Sequence, residues 1–171
     1  MTVEGFKYIR PAGAEDFPFL ELMLVEAAEW SAEPHRRTVE QVMSDPQVSH
    51  YIEGWPRPGD FGFVAISHQE EPIGACWVRL MPANDPGYGY VAPDVPELGI
   101  GVVREARGRG VGSALMRRAA EHARSTGVKR MSLSVERANP SFRLYESEGW
   151  RSVGSESGSD TMVLDLSSPA T

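Results

Sequence analysis

The residues of this chain best suited to chemistry are Arg107-Gly108-Arg109-Gly110-Val111-Gly112. Three glycines within five residues let the backbone turn sharply and bring bare amides against a ligand. A helical pattern follows. Its first N–H groups lack intrahelical partners, and the positive end of its dipole lies there. Anions bind at such a place, and Arg107 and Arg109 add charge beside it. The segment reads as a phosphate cradle, with a plain glycine-rich turn as the bland alternative. Two phosphate motifs are excluded. No Gly-Lys-Ser/Thr ends the segment, so it is not a P-loop. The dinucleotide fingerprint needs a third glycine where Ser113 stands, and it opens a Rossmann unit, whereas most of this chain comes first.

Composition narrows the chemistry further. The chain has 171 residues and a net charge of −7, with 41% hydrophobic and 24% charged residues. That is ordinary for one globular domain, expected over residues 1–171 with a core near 6–166 and a frayed tail at 167–171. The acidic balance argues against a general nucleic-acid binder. Cys76 is the one cysteine, so no intrachain disulfide forms. The four histidines are scattered and give no metal-ligand spacing, so no metal is expected. The longest apolar stretch, Phe17 to Ala28, is broken by Pro18, Glu21 and Glu26. No membrane span or leader is expected, and the expected compartment is the cytoplasm.

The cradle needs elements to position it. Leu98 to Val103 reads as the strand before it, with Gly99 and Gly101 pointing to a bulge or a close backbone approach. Val111 to Ser125 reads as the amphipathic helix after it, stopped by Gly127. Upstream, the spacing predicts a strand at Lys7–Arg10 and a helix over Ala14–Trp30 with a wide apolar face that includes Leu22. The capping-box pattern Thr38-Val39-Glu40-Gln41 starts a second helix, interrupted by Pro46, with a helical turn at Gln47–Glu53. Phe61–Ile66 and Ile73–Leu80 form a hairpin, and a proline-rich loop covers 81–96. Downstream, Met131, Leu133 and Val135 alternate with Ser132, Ser134 and Glu136, as in a half-buried strand. Asn139-Pro140 opens a short helix, and Trp150–Val153 and Met162–Leu166 close the fold around a turn at Ser155–Asp160.

Arg107-x-x-Gly110-x-Gly112 resembles the acyl-CoA motif of the GNAT superfamily of N-acetyltransferases. Glu97-Leu98-Gly99-Ile100-Gly101-Val102-Val103 resembles that family's splayed fourth strand. Asn139-Pro140-Ser141-Phe142-Arg143-Leu144-Tyr145-Glu146-Ser147-Glu148-Gly149-Trp150 resembles its closing signature. The resemblance covers about Pro96 to Trp150. It implies an α/β fold with a mixed, mostly antiparallel sheet of six or seven strands, splayed between the fourth and fifth, and about four helices. It also implies a site. The backbone of Gly101 and Val102 would pair with the pantetheine arm. Arg107, Gly108, Arg109, Gly110, Val111, Gly112 and Ser113 would hold the pyrophosphate of acetyl-CoA. Asn139 would contact the arm, or serve as a helix cap alone, since it stands one residue closer to Tyr145 than in many relatives. Tyr145 would be the general acid. Glu97 would take the amine's proton through water, or be a solvated strand-end carboxylate. Glu136 is a weaker candidate, and Arg104 could meet a further phosphate or be solvated. Trp30, Trp55, Tyr88 and Tyr90 fall in segments that shape acceptor pockets in the family, although each is more often packing.

The implied function is direct transfer of an acetyl group from acetyl-CoA to a primary amine, on a small molecule or a peptide. No covalent enzyme intermediate is expected, because Cys76 lies far from the motif with no histidine beside it in sequence. A homodimer is possible under this reading. The rival is a non-catalytic acyl-CoA-binding or regulatory module on the same fold, with a nucleotide-binding module behind it. The presence of Tyr145 favours the enzyme.

Overall fold

The structure, a computed structural model, describes residues 5–31 and 35–167. The strands are β1 (Tyr8–Pro11), β2 (Phe61–Ile66), β3 (Pro72–Arg79), β4 (Glu97–Val102), β5 (Arg130–Glu136), β6 (Arg151–Glu156) and β7 (Ser159–Asp165). The helices are α1 (Phe17–Ala28), α2 (Val39–Met43), α3 (Pro46–Ser49), α4 (Val111–Ser125) and α5 (Ser141–Ser147). The strands form one sheet of order β1-β2-β3-β4-β5-β7-β6. Pairing is antiparallel at β1/β2, β2/β3, β5/β7 and β6/β7, and parallel at β4/β5. The registered pair of β4 and β5, Glu97↔Ser132, stands at the very start of β4, as a splay at this point requires. This is the mixed, mostly antiparallel α/β architecture expected. Among the described residues five α-helices stand where about four were expected, because α2 stops at Met43 and Pro46 begins a separate short helix, capped by the Asp45 carboxylate.

Contacts gather into two compact units, and the chain passes between them at the end of β3, inside β4 and inside α4. The first comprises residues up to Val78 together with Gly99–Ala119. Within it, α1 buries Leu20, Met23, Leu24 and Val25, while Leu22 is half exposed, so the apolar face is narrower than its composition suggests. The helix expected from Ala14 begins as a tight turn, Ala14–Asp16, and becomes α-helical at Phe17. Asp16 fixes that entry. Its carboxylate accepts two hydrogen bonds from Arg10, both 2.8 Å, and one from the Gly13 N–H. The Arg10 guanidinium, aided by that N–H, holds the Asp16 carboxyl below the usual carboxylate range. The capping box at α2 is present as read: Thr38 Oγ1 accepts from the Gln41 N–H, and Gln41 Oε1 accepts from the Thr38 N–H.

The second unit comprises Arg79–Leu98 and the described residues from Ala120 on. Here β5 pairs along its whole length with β7. Ser132 is fully buried beside Met131 and Leu133, so this strand is covered on both faces there rather than half-buried. The closing hairpin is tighter than expected. Strands β6 and β7 run to Glu156 and Ser159, and the turn is Ser157-Gly158 alone, with φ of 51° and 84°. Two left-handed residues make the hairpin turn that matches strand twist, and serine there hides the signal usually carried by asparagine or aspartate. In the tail, Ser167 is tied back to the Asp165 carboxylate, and residues 168–171 lie outside the described residues.

Candidate functional site

In the first unit, β4 leads through a tight turn, Arg104–Ala106, into the glycine segment and then α4. Gly108 and Gly110 have φ of +75° and +82°, and a Cβ at either would find nothing within 4 Å. The loop therefore presents bare backbone to open space. The Gly110 carbonyl accepts the Ala114 N–H at 3.1 Å, which makes Val111, Gly112 and Ser113 the first turn of α4. Their amides have no intrahelical acceptor, and they carry the positive end of a 15-residue helix. Val111 is buried and anchors this end against β3, where a Cβ on Gly74 would fall 3.0 Å from it. Gly112 and Ser113 stay partly open. Such a surface can take an anion: the helix leaves these amides without acceptors, and nothing stands within 4 Å of the Cβ positions of Gly108 and Gly110.

The two arginines of the segment differ. Arg109 lies on the exposed loop, and its carbonyl accepts the Gly5 N–H at 3.3 Å. Arg107 is also exposed, but its guanidinium is held by other residues of the chain. Its Nε donates to the Val102 carbonyl at 3.2 Å, and one terminal nitrogen pairs with Glu26 of α1 at 2.6 Å.

The backbone of β4 alternates. The Val103 N–H donates to Ile73 of β3, and the Gly101 carbonyl also lies on the β3 side, beside Gly74. Val102 and Ile100 therefore turn their N–H and C=O toward the opposite edge. Gly101 serves as a close approach: a Cβ there would fall 2.2 Å from the carbonyl oxygen of Met23 in α1. Cys76 is fully buried, donates to the Leu115 carbonyl, and burial pushes its thiol up to about 12. It supplies no thiolate. Trp55, read as a pocket candidate, is buried, donates from Nε1 to the Gly13 carbonyl and packs over Gly62. Trp30 is partly buried near the end of α1.

In the second unit, Glu97 is 2% exposed, which removes the solvated reading of this carboxylate. Its Cα partner on β5 is Ser132. Just across the boundary, in the first unit's part of β3, the indole of Trp77 lies over Gly99, whose Cβ position falls 2.3 Å from Nε1. Alternation from that pair places Arg79 and Glu97 in facing positions on one face of the sheet. Arg79, also 2% exposed, was not singled out from sequence, although an arginine at the end of an apolar strand is a signal. The Asn139 carboxamide oxygen accepts the Ser141 N–H at 2.9 Å, so this side chain caps α5. Tyr145 is partly buried on α5, its ring 6.1 Å from that of Trp150. Glu136 is exposed. Tyr88 is exposed and Tyr90 partly so, on a loop laid directly on β5: a Cβ at Gly89 would fall 2.6 Å from the backbone of Leu133. Among the described residues no group of three His, Cys, Asp or Glu could hold a metal ion, and no helix is long and apolar enough to cross a membrane.

A sequence profile described as the acetyltransferase (GNAT) family matches residues 24–150. No curated protein matches the chain. Among solved structures, the PaiA N-acetyltransferase from Thermoplasma acidophilum, solved with coenzyme A, is 14% identical with a TM-score of 0.67, over 93% of this chain and 99% of that one. A GCN5-related N-acetyltransferase from Kribbella flavida is 23% identical with a TM-score of 0.66, over 92% and 96%. A phosphinothricin acetyltransferase of the GNAT superfamily from Sinorhizobium meliloti, solved with AcCoA, is 19% identical with a TM-score of 0.63, over 93% and 88%.

Proposed function

Because the chain belongs to the acetyltransferase (GNAT) family, we propose that it is an acetyl-CoA-dependent N-acetyltransferase whose cradle at Gly108–Ser113 holds the pyrophosphate and whose acceptor is a primary amine. The observation that carries the reading is the bare, outward-facing backbone of Gly108 and Gly110 at the start of α4. When bound, acetyl-CoA supplies an activated acetyl group on a thioester. The chain's own residues supply position, charge and protons. The amides of Val111, Gly112 and Ser113 offset phosphate charge, together with the helix dipole. Ile100 and Val102 offer backbone groups at the edge of β4 for an extended arm, in the manner of an added strand. Arg109 adds positive charge on the exposed loop. Asn139 belongs to the start of α5 and orders it.

Tyr145 is proposed as the general acid. A phenol of ordinary pKa ~10 holds its proton at neutral pH and can give it to a departing thiolate. Glu97 is proposed as the group that receives the amine's proton through water. Transfer is direct, because the Cys76 thiol is buried and held protonated. Most of the acceleration then comes from holding amine and thioester together. An acceptor screen with acetyl-CoA and free-thiol detection tests the reading, and thiol release that requires an amine is the expected result. Coenzyme A binding without turnover on any amine would instead favour the non-catalytic acyl-CoA-binding module.

A further inference from the structure

Glu26 of α1 joins two parts of the first unit that sequence reading treats separately. One carboxylate oxygen pairs with Arg107 of the cradle at 2.6 Å, and the other with Arg36, in the connection between α1 and α2, at 2.7 Å. The carboxylate is 16% exposed, against 37% for Arg107 and 23% for Arg36. Arg107 is also fastened to the Val102 carbonyl at 3.2 Å. The guanidinium of Arg107, which opens the glycine segment, is thus paired with an acid and tied to the strand before it.

We propose that Glu26 is a positioning residue that sets how much of Arg107's charge the cofactor phosphates receive, with Arg36 competing for the same carboxylate. The proposal rests on reading the cradle as the site of coenzyme A. Two cations share one anion. Whatever strengthens the hold of Arg36 on Glu26 loosens Arg107 toward a phosphate, and whatever removes Arg36 leaves Glu26 wholly to Arg107. A guanidinium has donors enough to keep the Val102 carbonyl and meet a phosphate oxygen at once. Cofactor binding and the pairing of Arg36 are therefore coupled through one carboxylate, and the coupling is reciprocal.

The test is calorimetry with coenzyme A on the wild-type protein, Glu26→Gln, Arg36→Gln, and the double variant Glu26→Gln/Arg107→Ala. Glu26→Gln is expected to bind coenzyme A about 3- to 10-fold tighter, the size of one partly screened charge interaction. Arg36→Gln is expected to bind it a few-fold more weakly, about 2- to 5-fold, on the same scale. In the double variant the gain from Glu26→Gln should vanish. A purely structural role would weaken binding in both single variants, so movement in the same direction overturns the proposal. Equal affinity in the wild type and both folded single variants overturns it too. If Glu26→Gln fails to fold, Arg36→Gln is compared in the wild-type and Arg107→Ala backgrounds: the weakening should appear only where Arg107 is present, and unchanged or tighter binding in the wild-type background, or equal weakening in both, contradicts the proposal. Failure of the wild-type protein to bind coenzyme A would remove the cradle reading itself, and the proposal with it.

Discussion

Gly101 and Met23 stand so close that the Cβ position of the one falls 2.2 Å from the carbonyl oxygen of the other. Helix α1 thus lies against the backbone of β4 at the residue just before the strand's last, and the glycine is the reason it can. Gly101→Ala should force the two elements apart and cost about 1–3 kcal/mol, the usual range for overpacking. Chemical denaturation of the two proteins measures this. A loss under about 0.5 kcal/mol, the size of an ordinary surface change, would mean that α1 yields without effort.

The cradle makes a sharper demand. At Gly110, φ is +82° and the space beyond is open. Aspartate there would bear backbone strain of about 1–2 kcal/mol and place a negative charge where phosphate is proposed to lie. Gly110→Asp should therefore weaken acetyl-CoA binding by about 100-fold or more, which is roughly 2.7 kcal/mol or above. Arg107→Ala should weaken it less, because that guanidinium is already shared with Glu26 and Val102. Calorimetry showing unchanged binding in a folded Gly110→Asp protein would rule out this cradle.

Tyr145→Phe removes one hydroxyl from a partly buried ring. If that hydroxyl donates the proton to the leaving thiolate, kcat should fall roughly 100-fold, at the low end of general-acid effects, with little change in cofactor affinity. Steady-state kinetics beside calorimetry separates the two. An unchanged kcat would make Tyr145 a packing residue.

Glu97 calls for a pH–rate profile. An alkyl amine of pKa ~10 is about one part in a thousand unprotonated at pH 7, so removal of its proton limits attack there. Glu97→Gln should lower kcat/KM most at neutral pH and much less near pH 9 to 10, where about a tenth to a half of the amine is already unprotonated. Parallel profiles of the two proteins would take Glu97 out of the proton path. They would leave it as the buried partner that its facing position to Arg79 also allows.

Local signals carried far in this chain. The bounds of α4 follow from its own periodicity and from Gly127, and the box at Thr38 and Gln41 forms with both of its hydrogen bonds. Each depends on residues within a few positions of one another. What the sequence concealed depends on distance along the chain. Arg107 reaches a glutamate 81 residues earlier, which in sequence looked like a mere interruption of an apolar stretch. Arg79 is buried on a face shared with Glu97, a placement set by strand register rather than by either residue's neighbours. Gly101 looked like a close approach, but its partner, the backbone of α1, lies far upstream. The edge of β4 shows the same limit. The motif points to Gly101 and Val102 together as the backbone that meets the pantetheine arm, yet alternation turns one toward β3 and the other away.

The most direct measurement incubates the purified protein with acetyl-CoA and a panel of primary amines, and follows free thiol and acetylated acceptor together. At least one amine should give one thiol released per acetyl transferred, with no thiol released in its absence, as direct transfer without a covalent enzyme intermediate requires. Gly110→Asp should lose the signal in parallel with its loss of coenzyme A binding. Thiol release with the acetyl group left on the protein, or binding with no transfer to any amine, would contradict an N-acetyltransferase that works by direct transfer.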